Sequence, residues 1–288
     1  MRGVILSPLK TQRARFAAAL VAYALLVCHS SRAQQAKPLT LSEILQQMES
    51  NLRRYRAEVP SFLCDEHLVS KENQYLAGQG HLDTEADSVF RLKRGFNADG
   101  TTTLTESRDV KAINRHPANG EDVNGPSRLE GAFSGGLSAI LLNEAACIHY
   151  TFRQMESGSA PRAYVVGFSS LPASERPIGC SLEDGASGKV FIDPASMQIT
   201  RMEMKVPRHG IFPMTADGQS MPALLGSWEL SIVYAPVMLD GRVYWMPANI
   251  SSITMTKSFD WTFKTTYRNY HKLEVTSRIL PPSAAPAP

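Results

Sequence analysis

The chain predicts a mainly β domain of the α+β kind: a strongly curved antiparallel sheet, or half-barrel, with an N-terminal helix and one internal helix. Three observations carry this. From Phe62 onward, segment after segment alternates apolar and polar residues, the period of a sheet with one dry and one wet face. Helical periodicity appears in only two places, so the crossover helices that a parallel sheet needs are missing. About ten strands offer far more apolar surface than two helices can cover, so the sheet must curl on itself or close over something else.

The first element is helical. Thr40-Leu41-Ser42-Glu43 has the form of a capping box, in which the two outer side chains satisfy free N–H groups of the first turn. Leu41, Ile44, Leu45, Met48, Leu52 and Tyr55 follow on one stripe, and Pro60 stops the helix. Phe62, Cys64 and Leu68 share one face of a first strand. Ser88–Phe96 and Thr101–Asp109 read as two more, joined by turn residues at Asn97–Gly100. Ala112–Ser127 is polar, rich in Asn, Gly and Pro, and reads as a loop. A second helix is expected after Gly135-Gly136, with Leu137, Ile140 and Leu141 on its apolar side.

The rest reads as strand. Ile148, Tyr150 and Phe152 alternate with polar neighbours, and Tyr164–Phe168 supplies a hairpin partner. Lys189–Asp193 and Ile199–Val206 flank Pro194-Ala195-Ser196, with Met202, Met204 and Val206 opposed to Arg201, Glu203 and Lys205. Trp228, Leu230, Ile232 and Tyr234 alternate, and Asp240-Gly241 is a strong hairpin signal into Arg242–Lys257. In the last segment Trp261, Phe263, Tyr267, Leu273 and Val275 fall on odd positions, and Lys264, Arg268, Lys272, Glu274 and Arg278 on even ones. Pro207–Ser227 reads instead as a loop of about 20 residues, longer than structureless connections usually are. It carries Ile211, Phe212, Met214 and Leu224, so it is either a lid or a loop pinned to the domain surface.

Residues 1–33 read as a signal peptide. Arg2, Lys10, Arg13 and Arg15 precede an apolar run, Phe16–Cys28, of about 13 residues, where a membrane-spanning helix needs about 20. Ser31 and Ala33 stand at small-residue cleavage positions, which places the mature start near Gln34 and the protein in the periplasm or outside the cell. A retained anchor is the alternative, as is a lipid on Cys28, although Val27 stands where such signals want a small residue. Five of the 30 basic residues and none of the 27 acids lie in this segment, leaving 25 against 27 and a net charge of −2. The basic balance therefore belongs to the leader, and nucleic acid is not an expected partner. Residues 34–280 read as one domain and 281–288 as a disordered Pro/Ala tail. Export permits disulfides, and Cys147–Cys180, flanking a hairpin, is the favoured pair over Cys64. Three buried thiols are the alternative.

No catalytic or metal motif stands up. Gly185-Ala-Ser-Gly188-Lys189 lacks the first glycine of a phosphate loop and runs into a strand instead of a helix. Phe133-Ser134-Gly135 has no strand before the serine, as a nucleophile elbow requires. The histidines never reach ligand spacing, and no cofactor is expected.

A curved sheet over helices leaves either a filled core or an apolar hollow, and hollows are where ligands bind. The expected lining is Met202, Met204, Trp261, Phe263 and Tyr267, with Ile211, Phe212, Met214 and Leu224 as the lid candidate. Val190-Phe-Ile-Asp193-Pro194 followed by Ile199-Thr-Arg201-Met-Glu203 resembles the V-x-[IV]-D-P…R-x-E hairpin of the periplasmic lipoprotein-carrier superfamily. Gly131-Ala-Phe133 with Leu137, Ile140 and Leu141, and the strand Tyr267–Lys272, resemble exported bacterial proteins of similar layout. The resemblance implies a half-open antiparallel barrel with helices at its mouth, holding a lipid, an acyl chain or a lipidated protein segment. A non-catalytic envelope interaction or sensor module with a filled core is the alternative.

Overall fold

A computed structural model describes residues 39–74, 80–118, 133, 142–154, 163–180, 182, 185–212, 221–256 and 259–274. The expected leader and tail lie outside these residues. The chain divides after Thr40, and the described fold belongs to the unit that begins at Leu41. It opens with α1 (Leu41–Glu58), then β1 (Phe62–Gln74), β2 (His81–Phe96), β3 (Thr102–Ile113) and the short β4 (His116–Pro117). A 3₁₀ turn (Leu142–Cys147) leads to β5 (Ile148–Gln154), β6 (Tyr164–Ser170), β7 (Ser187–Ile192) and β8 (Ile199–Phe212). The chain continues through β9 (Met221–Leu239), β10 (Arg242–Thr256) and β11 (Phe259–Lys272).

The strands form one open, curved antiparallel sheet in the order β4-β3-β2-β1-β11-β10-β9-β8-β7-β6-β5. Two meanders, β1–β4 and β5–β11, are each built from neighbours in sequence, the common outcome for short connections. They join only where β1 pairs with β11, from Phe62↔Lys272 to Gln74↔Phe259. The Asp240-Gly241 turn has positive φ at both residues (52° and 74°), the two-residue hairpin geometry that Asp-Gly favours.

Helix α1 covers part of the concave face. Ile44, Leu45 and Met48 are buried, as their spacing predicts. Several contacts fix its C-terminal half, among them the Arg242–Glu58 ion pair at 3.0 Å. Asn51 Nδ2 donates to the Met197 carbonyl at 2.7 Å, and the Tyr244 hydroxyl donates to the Glu58 carbonyl at 3.1 Å. The Tyr55 and Tyr244 rings meet edge to face at 6.5 Å. Met197 sits at φ 54° in the β7–β8 turn, where Asp193 accepts from the backbone N–H and hydroxyl of Ser196.

Two expectations change. Pro207–Ser227 is not a loop: β8 and β9 run on in register from Pro207↔Ser227 to Phe212↔Met221, leaving 213–220 as the connection. Ile211, Phe212 and Leu224 are therefore strand residues, and Met214 lies outside the described residues. Pro207, Gly210, Pro222 and Gly226 broke the alternation and imitated loop chemistry. Gly226 marks no turn; a Cβ there would strike the Met255 carbonyl of β10, so close strand approach requires the glycine. Ala112 and Ile113 are not part of a loop: they belong to β3 and pair with β4, and 119–127 of the expected loop lies outside the described residues. The second helix, at 134–141, lies outside the described residues, and the segment after it is the 3₁₀ turn.

Candidate functional site

Side-chain parity and strand register divide the concave face into rows. Near α1 one row sets Cys64 opposite Phe90, and Phe90 opposite Arg108; the next sets Tyr267 opposite Glu66, and Glu66 opposite Ser88. Aromatic rings fill this end. Phe133 is 3% exposed, and its ring lies 4.6 Å from Phe90, 4.9 Å from Tyr267 and 5.6 Å from Phe62. Its backbone N–H donates to Glu106 Oε1 at 3.0 Å.

A charge pair is buried among these rings. Arg108 Nε donates to both carboxylate oxygens of Glu66, at 2.9 and 2.8 Å, with the side chains 6% and 3% exposed. The guanidinium also stacks 4.9 Å above the Phe90 ring. Burial works against the Arg108 charge, but the Glu66 carboxylate and its hydrogen bonds outweigh it and raise the pKa. Burial raises the Tyr267 phenol, and the Glu66 charge raises it further. Burial likewise pushes up the Cys64 thiol, with the Glu66 charge adding to it, so this sulfur stays protonated and unreactive. Cys147 and Cys180 form a disulfide with Cα atoms 5.7 Å apart, leaving Cys64 as a buried free thiol.

The other end of the same face is more open. One row runs Val206–Trp228–Thr254–Trp261–Glu72, and the next Met204–Leu230–Ser252–Phe263–Ser70. Met204, Trp228 and Trp261 are only half-buried, although they stand on the face that buries Met202, Ile232 and Phe263. The five predicted lining residues thus separate. Met202, Phe263 and Tyr267 are packed, whereas Met204 and Trp261 still reach open space. On β11 the expected polar face, Lys264, Arg268 and Lys272, is exposed.

Several residues of this face were missed as site candidates: Glu66, Ser70, Arg108, Trp228 and Ser252. For β1 a signal existed, because Glu66 and Ser70 share parity with Phe62, Cys64 and Leu68 and so fall on the dry face. Arg108 gave none, since β3 carries too few apolar residues to show which face is buried.

An open trough of about 480 Å³ crosses β7–β10. Its walls include Lys205 and Glu229, paired at 2.7 Å, and Glu203, which lies 3.3 Å from Arg201. The trough is mixed: beside these paired charges, Met204, Leu230 and Ile253 line it as well. Among the described residues no group of three or more His, Cys, Asp or Glu could hold a metal ion, and no helix is long and apolar enough to cross a membrane.

No protein-family profile and no curated protein matches the chain. Among solved structures, a LolA superfamily protein from Nitrosomonas europaea aligns at 13% identity and a TM-score of 0.32, over 83% of this chain and 96% of that one. A DUF1329 family protein from Desulfovibrio piger aligns at 10% identity and a TM-score of 0.38, over 82% and 95%.

Proposed function

We propose that this protein is an exported binding protein that holds a hydrophobic ligand, a lipid, an acyl chain or a lipidated segment, against the open half of the concave face. One observation carries the reading. Met204, Trp228 and Trp261 are only partly buried on the same face whose other end is packed with aromatic rings. Large apolar side chains on a concave surface with few polar groups are the usual chemistry of a ligand site. Methionine and tryptophan suit it, one adaptable in shape and the other combining a broad apolar surface with a polar N–H. The leader-like sequence of residues 1–33 supports action in the periplasm or outside the cell.

Native mass spectrometry of the purified protein tests this. Lipid or acyl species should co-purify and be lost when Trp228 and Trp261 are both replaced by alanine. A ligand-free protein that takes up no added lipid and no apolar dye would sink the reading. The filled-core interaction module would then be the better account. The aromatic packing of Phe62, Phe90 and Phe133 favours that module at the α1 end.

A further inference from the structure

The exposed apolar side chains of this fold are not spread evenly. Among the described residues five large ones are more than half exposed, and three of these stand at the α1 end of the sheet: Phe96 at 67%, Met238 at 63% and Val243 at 54%. Met238 and Val243 face each other across the β9–β10 hairpin, just behind the Asp240-Gly241 turn. The next pair on that face is Pro236 and Trp245, the first exposed and the second partly so. Phe96 ends β2, three strand spacings from β10, or roughly 14 Å. Single exposed apolar residues need no explanation, but a group at one rim marks an interaction surface.

The same end is basic. α1 is held there to the β7–β8 turn through Asn51 and to the β9–β10 hairpin through Glu58. Three cations are neutralised: Arg53 by Glu49, Arg242 by Glu58 and Lys272 by Asp240, at 2.7, 3.0 and 2.9 Å. Arg54, Arg56, Lys93 and Arg94 have no carboxylate partner among the described residues. The remaining acids are Asp99 and Glu274; Glu106 is turned inward onto the N–H of the buried Phe133. The Arg94 guanidinium lies 5.4 Å over the Phe96 ring, so charge and apolar surface are interleaved. At the other end of β1, β2 and β11 the sign reverses, with Glu72, Asp83, Glu85 and Asp260 against Lys71 and Arg115.

We propose that the α1 end docks peripherally on an anionic lipid bilayer. Met238, Val243 and Phe96 enter the interface, and the four unpaired cations meet the lipid headgroups. Apolar side chains gain by leaving water there and cations by nearing the negative surface, and this rim carries both. Arginine and lysine suit such a place because their stems lie on apolar surface while their heads stay among phosphates. Trp245, behind Val243, is of the residue type that favours this depth. A second copy of the chain fits less well, because two such ends would oppose the same uncompensated cations. Docked in this way, the protein points the open half of its concave face away from the bilayer, since that half lies at the opposite ends of the strands. The proposal is independent of what that face holds.

The test is co-sedimentation with vesicles of phosphatidylcholine alone and of phosphatidylcholine mixed with phosphatidylglycerol. The chain from Gln34 onward is used, because residues 1–33, basic and apolar, would bind lipid by themselves; the compact unit of the fold begins at Leu41. Mixed vesicles should bind it, pure phosphatidylcholine far less, and high salt should release it. R54Q/R56Q should weaken binding roughly 10- to 30-fold, the usual effect of two cations beside an anionic surface. M238S/V243S should weaken it roughly tenfold through lost apolar burial. Lys71→Gln, at the opposite end, should change nothing, and circular dichroism checks that every variant is folded. No binding to mixed vesicles, or binding that withstands either pair of changes, overturns the proposal. Binding kept by both pairs but lost in W228A/W261A would show the concave face meeting the lipid, and overturns it as well. A dimer in sedimentation velocity that M238S/V243S dissolves, without vesicle binding, would assign the patch to a second copy instead.

Discussion

Replacing Phe90 by alanine asks whether the two ends of the concave face differ as their burial implies. Phe90 is fully buried on β2. Its ring lies 4.6 Å from Phe133, 5.8 Å from Tyr267 and 6.2 Å from Phe62, with the Arg108 guanidinium 4.9 Å above it. Truncation to alanine removes the transfer energy of the ring and leaves a cavity whose walls, held by strands and by the Glu66–Arg108 pair, collapse little. Such changes cost about 3–5 kcal/mol. For a domain of this size each kcal/mol lowers Tm by about 2–4 °C, so the fall should be about 6–20 °C. Met204→Ala is the comparison. Its side chain is only partly buried at the open end, so truncation should cost less than in a packed core, about 1–2 kcal/mol. Urea unfolding followed by linear extrapolation measures both, with an unchanged m-value as the check that only the midpoint has moved. Binding of an apolar dye should respond in the opposite order, altered by Met204→Ala and little changed by Phe90→Ala. Equal stability losses in the two variants, or a Phe90→Ala cost below about 1.5 kcal/mol, would refute the division into a packed end and an open end.

Three further outcomes follow from the same geometry. Glu66→Gln should destabilise by about 3–5 kcal/mol by leaving the buried Arg108 charge without its carboxylate, whereas E66L/R108M, which removes both charges, should cost far less in the same urea titration. Opening the Cys147–Cys180 bridge, which closes a separation of 33 residues around the β5–β6 edge hairpin, should cost about 2–4 kcal/mol, read as a drop in Tm on adding reductant. Burial raises the phenol pKa of Tyr55, Tyr234, Tyr267 and Tyr270 in the folded state. A group protonated in the native state and ionised in the unfolded one stabilises fully below its unfolded pKa of about 10 and loses that contribution as pH rises above it. Tyrosinate absorbance from these residues should therefore appear together with alkaline unfolding; ionisation of these four tyrosines while the β-sheet circular dichroism persists would contradict the burial.

The sequence by itself determined the local and periodic features. The capping residues and apolar stripe of α1, the alternation of β11 and the Asp240-Gly241 turn all act within a few residues, and each is present at the expected place. Parity assigns a side chain to one of two faces because successive residues of a strand point to opposite sides. It does not name the neighbouring strand. That choice is a competition among all strands, and it fell to the tertiary structure to set β1 beside β11 and so join the two meanders. The same pairing brings Trp261 to Ser70, 191 residues away in sequence, and the β1–β2–β3 register brings Arg108 to Glu66, 42 residues away. β8 and β9 were underestimated for a related reason. Their prolines and glycines argue locally for a loop, but antiparallel pairing from Arg201↔Val233 to Phe212↔Met221 supplies the backbone hydrogen bonds that keep the segment extended. Local chemistry fixed which residues seek a dry face; only the closed set of strand pairings decided which of them are packed at the α1 end and which, like Met204, Trp228 and Trp261, are left facing open space.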